Sequence, residues 1–230
     1  EIGPRDRNTV YLAWKALGGS TNHELPVKVT LRKMIPVGAG LGGGSADAAA
    51  ALVGLNDLFG LGLRVDRLRE IAAEIGADVP FCISGGTALG EGIGEVLTPL
   101  PAPPAHRLVV AKPQESADTA TIYRAYDEAK PESRRSTEPV TSALRSGNLS
   151  ALAAAVGNDL APVTADFVPE VAILEQTLLE SGALGSSMSG SGTAVYGIFG
   201  DEEDAGLAKD RIEAPFSGVY EPVSCGVEIL

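Results

Sequence analysis

The chain has 230 residues, 44% of them hydrophobic but only 5% aromatic, so its core must be built chiefly from Ala, Val, Leu and Ile. With 18 basic against 30 acidic residues the net charge is −12, a field that repels nucleic acid and anionic membrane, and neither is expected as a partner. An anionic ligand then requires a local device, such as a helix N-terminus, a metal ion or one placed lysine.

The two cysteines, Cys82 and Cys225, have no CxxC or metal-type spacing, which points to a reduced, cytoplasmic protein with two structural thiols. No apolar run approaches the length of a membrane span, and no signal-peptide pattern opens the sequence. Residue 1 is Glu rather than Met, so the sequence is not expected to be a complete translation product.

In chain order, residues 27–35 (VKVTLRKMI) alternate apolar and polar side chains as a half-buried strand does. A glycine-rich loop follows, and then SADAAAALVGLNDLF predicts a helix. Ser45 is its expected N-cap, and Ala48, Leu52, Leu55 and Phe59 form an apolar stripe that Gly60 and Gly62 end. A second helix is predicted from Asp66, with Leu68, Ile71 and Ile75 on one face and Gly76 at its end. In ADVPFCISGG, Pro80 disfavours a helical Val79, which puts Asp78 on a turn entering a strand. Residues 99–106 (PLPAPPAH) carry four of the 15 prolines and mark a boundary between lobes 1–104 and 105–230.

The second lobe opens with a predicted strand, RLVVAK, at residues 107–112, and polar residues 129–139 read as an exposed loop. Helical patterns cover residues 150–156 and 169–181, the latter with Val168, Val171, Leu174 and Leu178 along one face. The run GSSMSGSG, residues 185–192, leads into a strand, TAVYGIF. There is no internal repeat of fixed period. The organisation is that of an α+β protein in two lobes, each with its own glycine-rich turn.

The stretch PVGAGLGGGSADAAA places five glycines between Gly38 and Gly44, directly ahead of a helix. Gly38, Gly40 and Gly43 match the dinucleotide pattern G-x-G-x-x-G, but that fold needs a strand ending in an acid after the helix, and here a second helix follows. A Walker A loop fails because no lysine occurs from residue 34 to residue 64. The third reading is a loop that wraps a triphosphate with backbone amides alone and passes it to the helix N-terminus, where the macrodipole adds about half a positive charge. A flexible loop beside a packed helix explains one or two such glycines, not five.

PVGAGLGGGSADAAAAL resembles the phosphate loop of the GHMP kinase superfamily, which includes galactose, homoserine, mevalonate and phosphomevalonate kinases. GADVPFCISGGTALGEGIGEVLTPL, residues 76–100, narrows the resemblance to the branch that phosphorylates 4-diphosphocytidyl-2-C-methyl-erythritol in non-mevalonate isoprenoid synthesis. SSMSGSGTAVYGIF resembles the superfamily's third glycine-rich motif, and DRNTVYLAWKAL fits the segment before the loop. The implied fold is the two-lobed α+β GHMP-kinase fold, with an N-terminal ATP-binding lobe of mixed sheet and helices at residues 1–104 and a C-terminal α/β sandwich lobe at residues 105–230.

The resemblance implies ATP and Mg2+ as cofactors. It assigns the ATP loop to Pro36, Val37, Gly38, Ala39, Gly40, Leu41, Gly42, Gly43, Gly44, Ser45 and Ala46, with Ser45 also a candidate metal ligand. It makes Asp78 the catalytic base, a role that phosphoryl transfer to an alcohol requires; alone, Asp78 would read as an ordinary turn acid. Gly190 and Gly192 lie near acceptor and phosphates in this superfamily, or simply form a tight turn before a strand. Tyr123 in DTATIYRAY matches the position that stacks on cytosine, against the alternative of a half-buried packing tyrosine. The implied partner is a small-molecule acceptor, the cytidine diphosphate-linked methylerythritol, with the chain a monomer or homodimer. The alternatives are a homoserine- or mevalonate-type kinase and a non-catalytic nucleotide-binding relative.

The resemblance also implies an initial strand with a PAKxN lysine and a YHEL segment, and neither is present in this sequence. His23-Glu24-Leu25 lies too close to the glycine loop to be the latter. About the first quarter of a typical member is therefore expected to lie outside this sequence.

Overall fold

The computed structural model of the chain describes residues 5–129 and 134–229, which form two compact bodies. Residues 5–34, 42–100 and 223–229 build the first, and residues 35–41, 101–129 and 134–222 the second. Of the predicted exposed loop, residues 130–133 lie outside the described part; residues 134–137 are irregular and exposed.

In the first body a short 3-10 turn, Arg5–Arg7, leads into α1 (Thr9–Thr21). The Asn8 side chain accepts from the amides of Val10 (2.9 Å) and Tyr11 (3.3 Å), satisfying donors that no helical carbonyl reaches. Then come α2 (Gly43–Leu58), α3 (Val65–Ala73), α4 (Val79–Ser84) and a hairpin of β1 (Ala88–Glu91) and β2 (Val96–Pro99). The core is aliphatic, as the composition requires: Leu17, Leu52, Leu55, Leu68, Ile71 and Val79 meet there with the fully buried Ala13, Ala48 and Ala49. Alanines at the contact of α1 with α2 let the two backbones approach closely. The predicted stripe of α2 is the buried one, and Gly60 takes a left-handed φ of 59° just past the helix end.

Four local expectations are corrected. Residues 27–35 form no strand: Val27 and Val29 are exposed, and no described strand pairs with them. Alternation becomes a strand only when a partner supplies the hydrogen-bond ladder. Asp78 enters a helix rather than a strand, because Pro80 lies in the first turn of α4, where its missing N–H costs nothing, and Val79, Pro80 and Ile83 bury one face. Ser45 is not the cap of α2: Gly42 holds that position and Ser45 is the third helical residue. The α3 helix begins at Val65, so Asp66 lies within the first turn and Arg64 is at the cap position.

The second body is built on a four-stranded antiparallel sheet. Its elements in chain order are β3 (Arg107–Lys112), α5 (Thr119–Ala129), α6 (Glu138–Ser146), α7 (Leu149–Ala155), α8 (Ala161–Phe167), α9 (Glu170–Glu180), β4 (Gly185–Met188), β5 (Val195–Phe199), α10 (Glu202–Lys209) and β6 (Phe216–Tyr220). The strand order is β4-β5-β3-β6, with Val109 opposite Gly197 on one side and Val219 on the other. Val109, Ala111, Val195 and Phe199 face helices and pack with Ile122, Leu174 and Leu178. On the opposite face Val110 and Ala194 are covered by Ala39, with Leu41, Leu108, Tyr196 and Phe216 beside them. The predicted strand at residues 107–112 is found, whereas the first half of the serine-glycine run is itself strand β4.

Candidate active site

Residues 36–41 of the glycine loop belong to the second body and residues 42–46 to the first, and each half is held by different chemistry. Ala39 is buried, its carbonyl accepts from the Ala194 amide at 3.0 Å, and the Gly40 carbonyl accepts from Ser189 Oγ at 2.9 Å. Gly40 has a φ of 72°, and a Cβ there would collide with the Ser189 carbonyl. Gly190, with a φ of 55°, faces it: a Cβ on Gly190 would come 2.9 Å from the Gly40 carbonyl oxygen. The two glycine-rich segments interlock because neither carries a side chain at the contact.

The serine-glycine segment is held in turn by polar side chains that sequence reasoning missed. Asn158 Nδ2 donates to the carbonyls of Met188 (3.0 Å) and Gly190 (2.7 Å). Thr119 and Ser191 share a hydroxyl–hydroxyl bond of 2.8 Å, and Thr193 Oγ1 donates to the Glu115 carbonyl at 2.8 Å. Lys112, 6% exposed, donates to the carbonyls of Pro113 and Glu115, both at 2.9 Å. Burial draws its pKa down, opposed by the Glu115 carboxylate.

The second half of the loop and α2 belong to the first body. Gly42 (φ 64°) is the residue before the helix, and no side chain caps α2. By helix geometry the amides of Gly43, Gly44 and Ser45 have no intrahelical acceptor, so they present a row of donors at the positive end of the macrodipole. Thr9 Oγ1 donates to the Gly44 carbonyl at 2.7 Å, and Lys33 Nζ donates to the Gly43 carbonyl at 3.2 Å and pairs with the Asp47 carboxylate. A row of amides without helical acceptors is chemically able to receive an anion.

Asp78 precedes α4, which packs against α2 in the first body. Its carboxylate is exposed and makes no capping bond. It stands 3.7 Å from the point where a Cβ would sit on Gly94, in the turn joining β1 to β2. Burial pushes the Cys82 thiol, one turn along α4, up to about 11, with repulsion from Asp78 as the smaller cause. In the second body Tyr123 on α5 is 52% exposed, unlike the buried Tyr126. The structure thus brings Gly40 and Gly190 together in one body and leaves Asp78 and the α2 N-terminus in the other.

Among the described residues no group of three His, Cys, Asp or Glu side chains forms a metal cage. Of the candidate metal ligands only the Ser45 hydroxyl lies on the loop, and Asp47 is engaged by Lys33. A hydroxyl is an oxygen donor of the kind Mg2+ takes, and that ion is commonly held by one or two protein ligands together with substrate phosphates. No helix among the described residues is long and apolar enough to cross a membrane.

The N terminal domain of the GHMP kinases matches residues 8–86 and their C terminal domain matches residues 140–218. The chain belongs to the GHMP kinase family. It is 40% identical over 220 residues to the 4-diphosphocytidyl-2-C-methyl-D-erythritol kinase of Caldicellulosiruptor saccharolyticus, covering 96% of this chain and 76% of that protein. It is 47% identical over 221 residues to the enzyme of the same name from Synechococcus sp., covering 92% and 71%. Among solved structures, a 4-(cytidine 5'-diphospho)-2C-methyl-D-erythritol kinase matches with a TM-score of 0.77 at 31% identity, covering 96% of this chain and 79% of that one. The homoserine kinase from Cytophaga hutchinsonii matches with a TM-score of 0.80 at 21% identity, covering 97% and 78%; that likeness shows the fold alone. The expected GHMP-kinase fold is therefore found.

Proposed function

We propose that this chain is an ATP-dependent kinase that phosphorylates the 2-hydroxyl of 4-diphosphocytidyl-2-C-methyl-D-erythritol. The observation that carries this reading is the uncapped, side-chain-free N-terminus of α2, in a chain 40% identical to kinases of that name. ATP would lie with its phosphates against the amides of residues 40–45, and Mg2+ would accompany them with Ser45 as a ligand. The ion would neutralise phosphate charge during transfer.

Asp78 would orient the acceptor hydroxyl and take its proton as that oxygen attacks the γ-phosphorus. The new P–O bond forms as the bond to the β-phosphate oxygen breaks and ADP leaves. An exposed carboxylate, unoccupied by any capping bond, is free for that task. The exposed ring of Tyr123 supports its assignment to the cytosine, and Gly190 and Gly192 are proposed to lie near acceptor and phosphates. We place the protein in the cytoplasm, acting as a monomer or homodimer on this small molecule.

The test is ADP release coupled to a dehydrogenase signal, with and without the cytidylated acceptor. Release that depends on this acceptor, and not on homoserine or mevalonate, is expected. Release with an acceptor lacking the base would move the chain to a sister activity; nucleotide binding without release would make it a non-catalytic relative.

A further inference from the structure

Lys33 lies one residue before the lysine-free stretch of residues 34–64. Its ammonium donates to the Gly43 carbonyl at 3.2 Å and pairs with the Asp47 carboxylate, and the two side chains are only 20% and 19% exposed. Gly43 is the first residue of α2 and Asp47 lies one turn further. Its carboxylate therefore lies just past the first turn of the helix. It is the wrong charge beside amides that must receive a polyphosphate, and partial desolvation strengthens the repulsion.

We propose that Lys33 is a positioning residue of the phosphate loop: it cancels the Asp47 charge near the α2 N-terminus, so that no bare carboxylate repels an incoming phosphate. The inference rests on the phosphate-loop reading proposed above. It assigns Lys33 an effect on nucleotide binding exerted through Asp47, without contact to the phosphates. Two of the three ammonium protons are already committed, to Gly43 and Asp47.

The test is calorimetric titration of a non-hydrolysable ATP analogue into four proteins, each with its melting temperature recorded. They are the wild type, Lys33→Met, Asp47→Asn and the double variant. Lys33→Met strands a half-buried carboxylate and is expected to weaken the analogue at least tenfold, about 1.4 kcal/mol. Adding Asp47→Asn should return affinity to within about threefold of wild type, and Asp47→Asn alone should bind as tightly as wild type or tighter. In turnover assays the KM for ATP should rise in Lys33→Met while the KM for the acceptor does not, and Lys33→Arg should restore it. Unchanged affinity in Lys33→Met overturns the proposal. So does a loss that Asp47→Asn fails to rescue, since that result marks Lys33 as a direct phosphate ligand. Should Lys33→Met not fold, weaker binding by Asp47→Asn alone overturns it equally. A wild type that binds no analogue fails at the phosphate loop itself, an outcome distinct from all of these.

Discussion

Ser189 Oγ donates to the Gly40 carbonyl at 2.9 Å, joining residues 149 positions apart at a contact where neither Gly40 nor Gly190 has room for a side chain. The two glycine-rich segments are therefore one structural unit. Ser189→Ala removes one hydrogen bond and should cost about 1 kcal/mol. Gly40→Ala forces a left-handed φ on a side-chain residue, roughly 1–2 kcal/mol, and drives its Cβ into the Ser189 carbonyl as well. Urea denaturation should rank Gly40→Ala well below Ser189→Ala in stability. Equal losses would show that the segments are not interlocked.

Gly44 allows the proposed phosphate site to be tested apart from the fold. It is helical, its φ is not positive, and a Cβ there would meet only Thr9, at an ordinary 3.7 Å. Gly44→Ala should leave the melting temperature unchanged or raise it, since alanine is the better helix former by up to about 1 kcal/mol. Affinity for an ATP analogue should fall, because the methyl group stands among the receiving amides. Unchanged affinity would take Gly44 out of the phosphate site.

Asp78→Asn keeps the size of the side chain and removes its ability to accept a proton. Loss of a general base typically lowers kcat by about 10²–10⁴-fold, and that is the expected fall, with ATP affinity close to wild type. The melting temperature should hold, because Asp78 makes no capping bond. The Cys82 thiol should titrate lower than its present value of about 11, reporting the lost negative charge beside it. A wild-type kcat would remove Asp78 from the mechanism.

Tyr123 is tested by the split between substrates. Stacking of an aromatic ring on a base is worth about 1–3 kcal/mol, so Tyr123→Ala should raise the KM for the cytidylated acceptor several-fold to a hundredfold and leave that for ATP alone. Because the ring is 52% exposed, stability should change little. An equal effect on both substrates would return Tyr123 to a packing role.

Much of this architecture is legible from periodicity. The α2 stripe, the α9 face and the β3 strand are where the pattern puts them, because each buries its apolar side against elements within its own body. Two elements depart from their sequence patterns for opposite reasons. Residues 27–35 have a strand's alternation without a strand's partner, and α4 has a proline that reads as a helix breaker until its first-turn position is known. The glycine loop and Asp78 were legible as motifs. Asn158, Thr119, Ser189 and Lys112 were not, since each acts by bonding backbone carbonyls or a hydroxyl far off in sequence or around a turn, and such bonds leave no spacing signature. Lys33 falls outside the Walker pattern, because that pattern has its lysine after the glycines and this one precedes them.

The return of residues 223–229 to the first body sets an order of events during synthesis. The backbone of Gly226 lies against the Cys82 carbonyl and the Gly85 amide, and Val227 joins the first body's aliphatic core. Cys82 and Gly226 are separated by 144 positions (226 − 82 = 144). At about 5–20 residues per second, a ribosome delivers Gly226 roughly 7–30 s after Cys82. For that interval α4 waits with one flank uncovered, so the body that carries Asp78 is finished only after the second body's sheet has been translated.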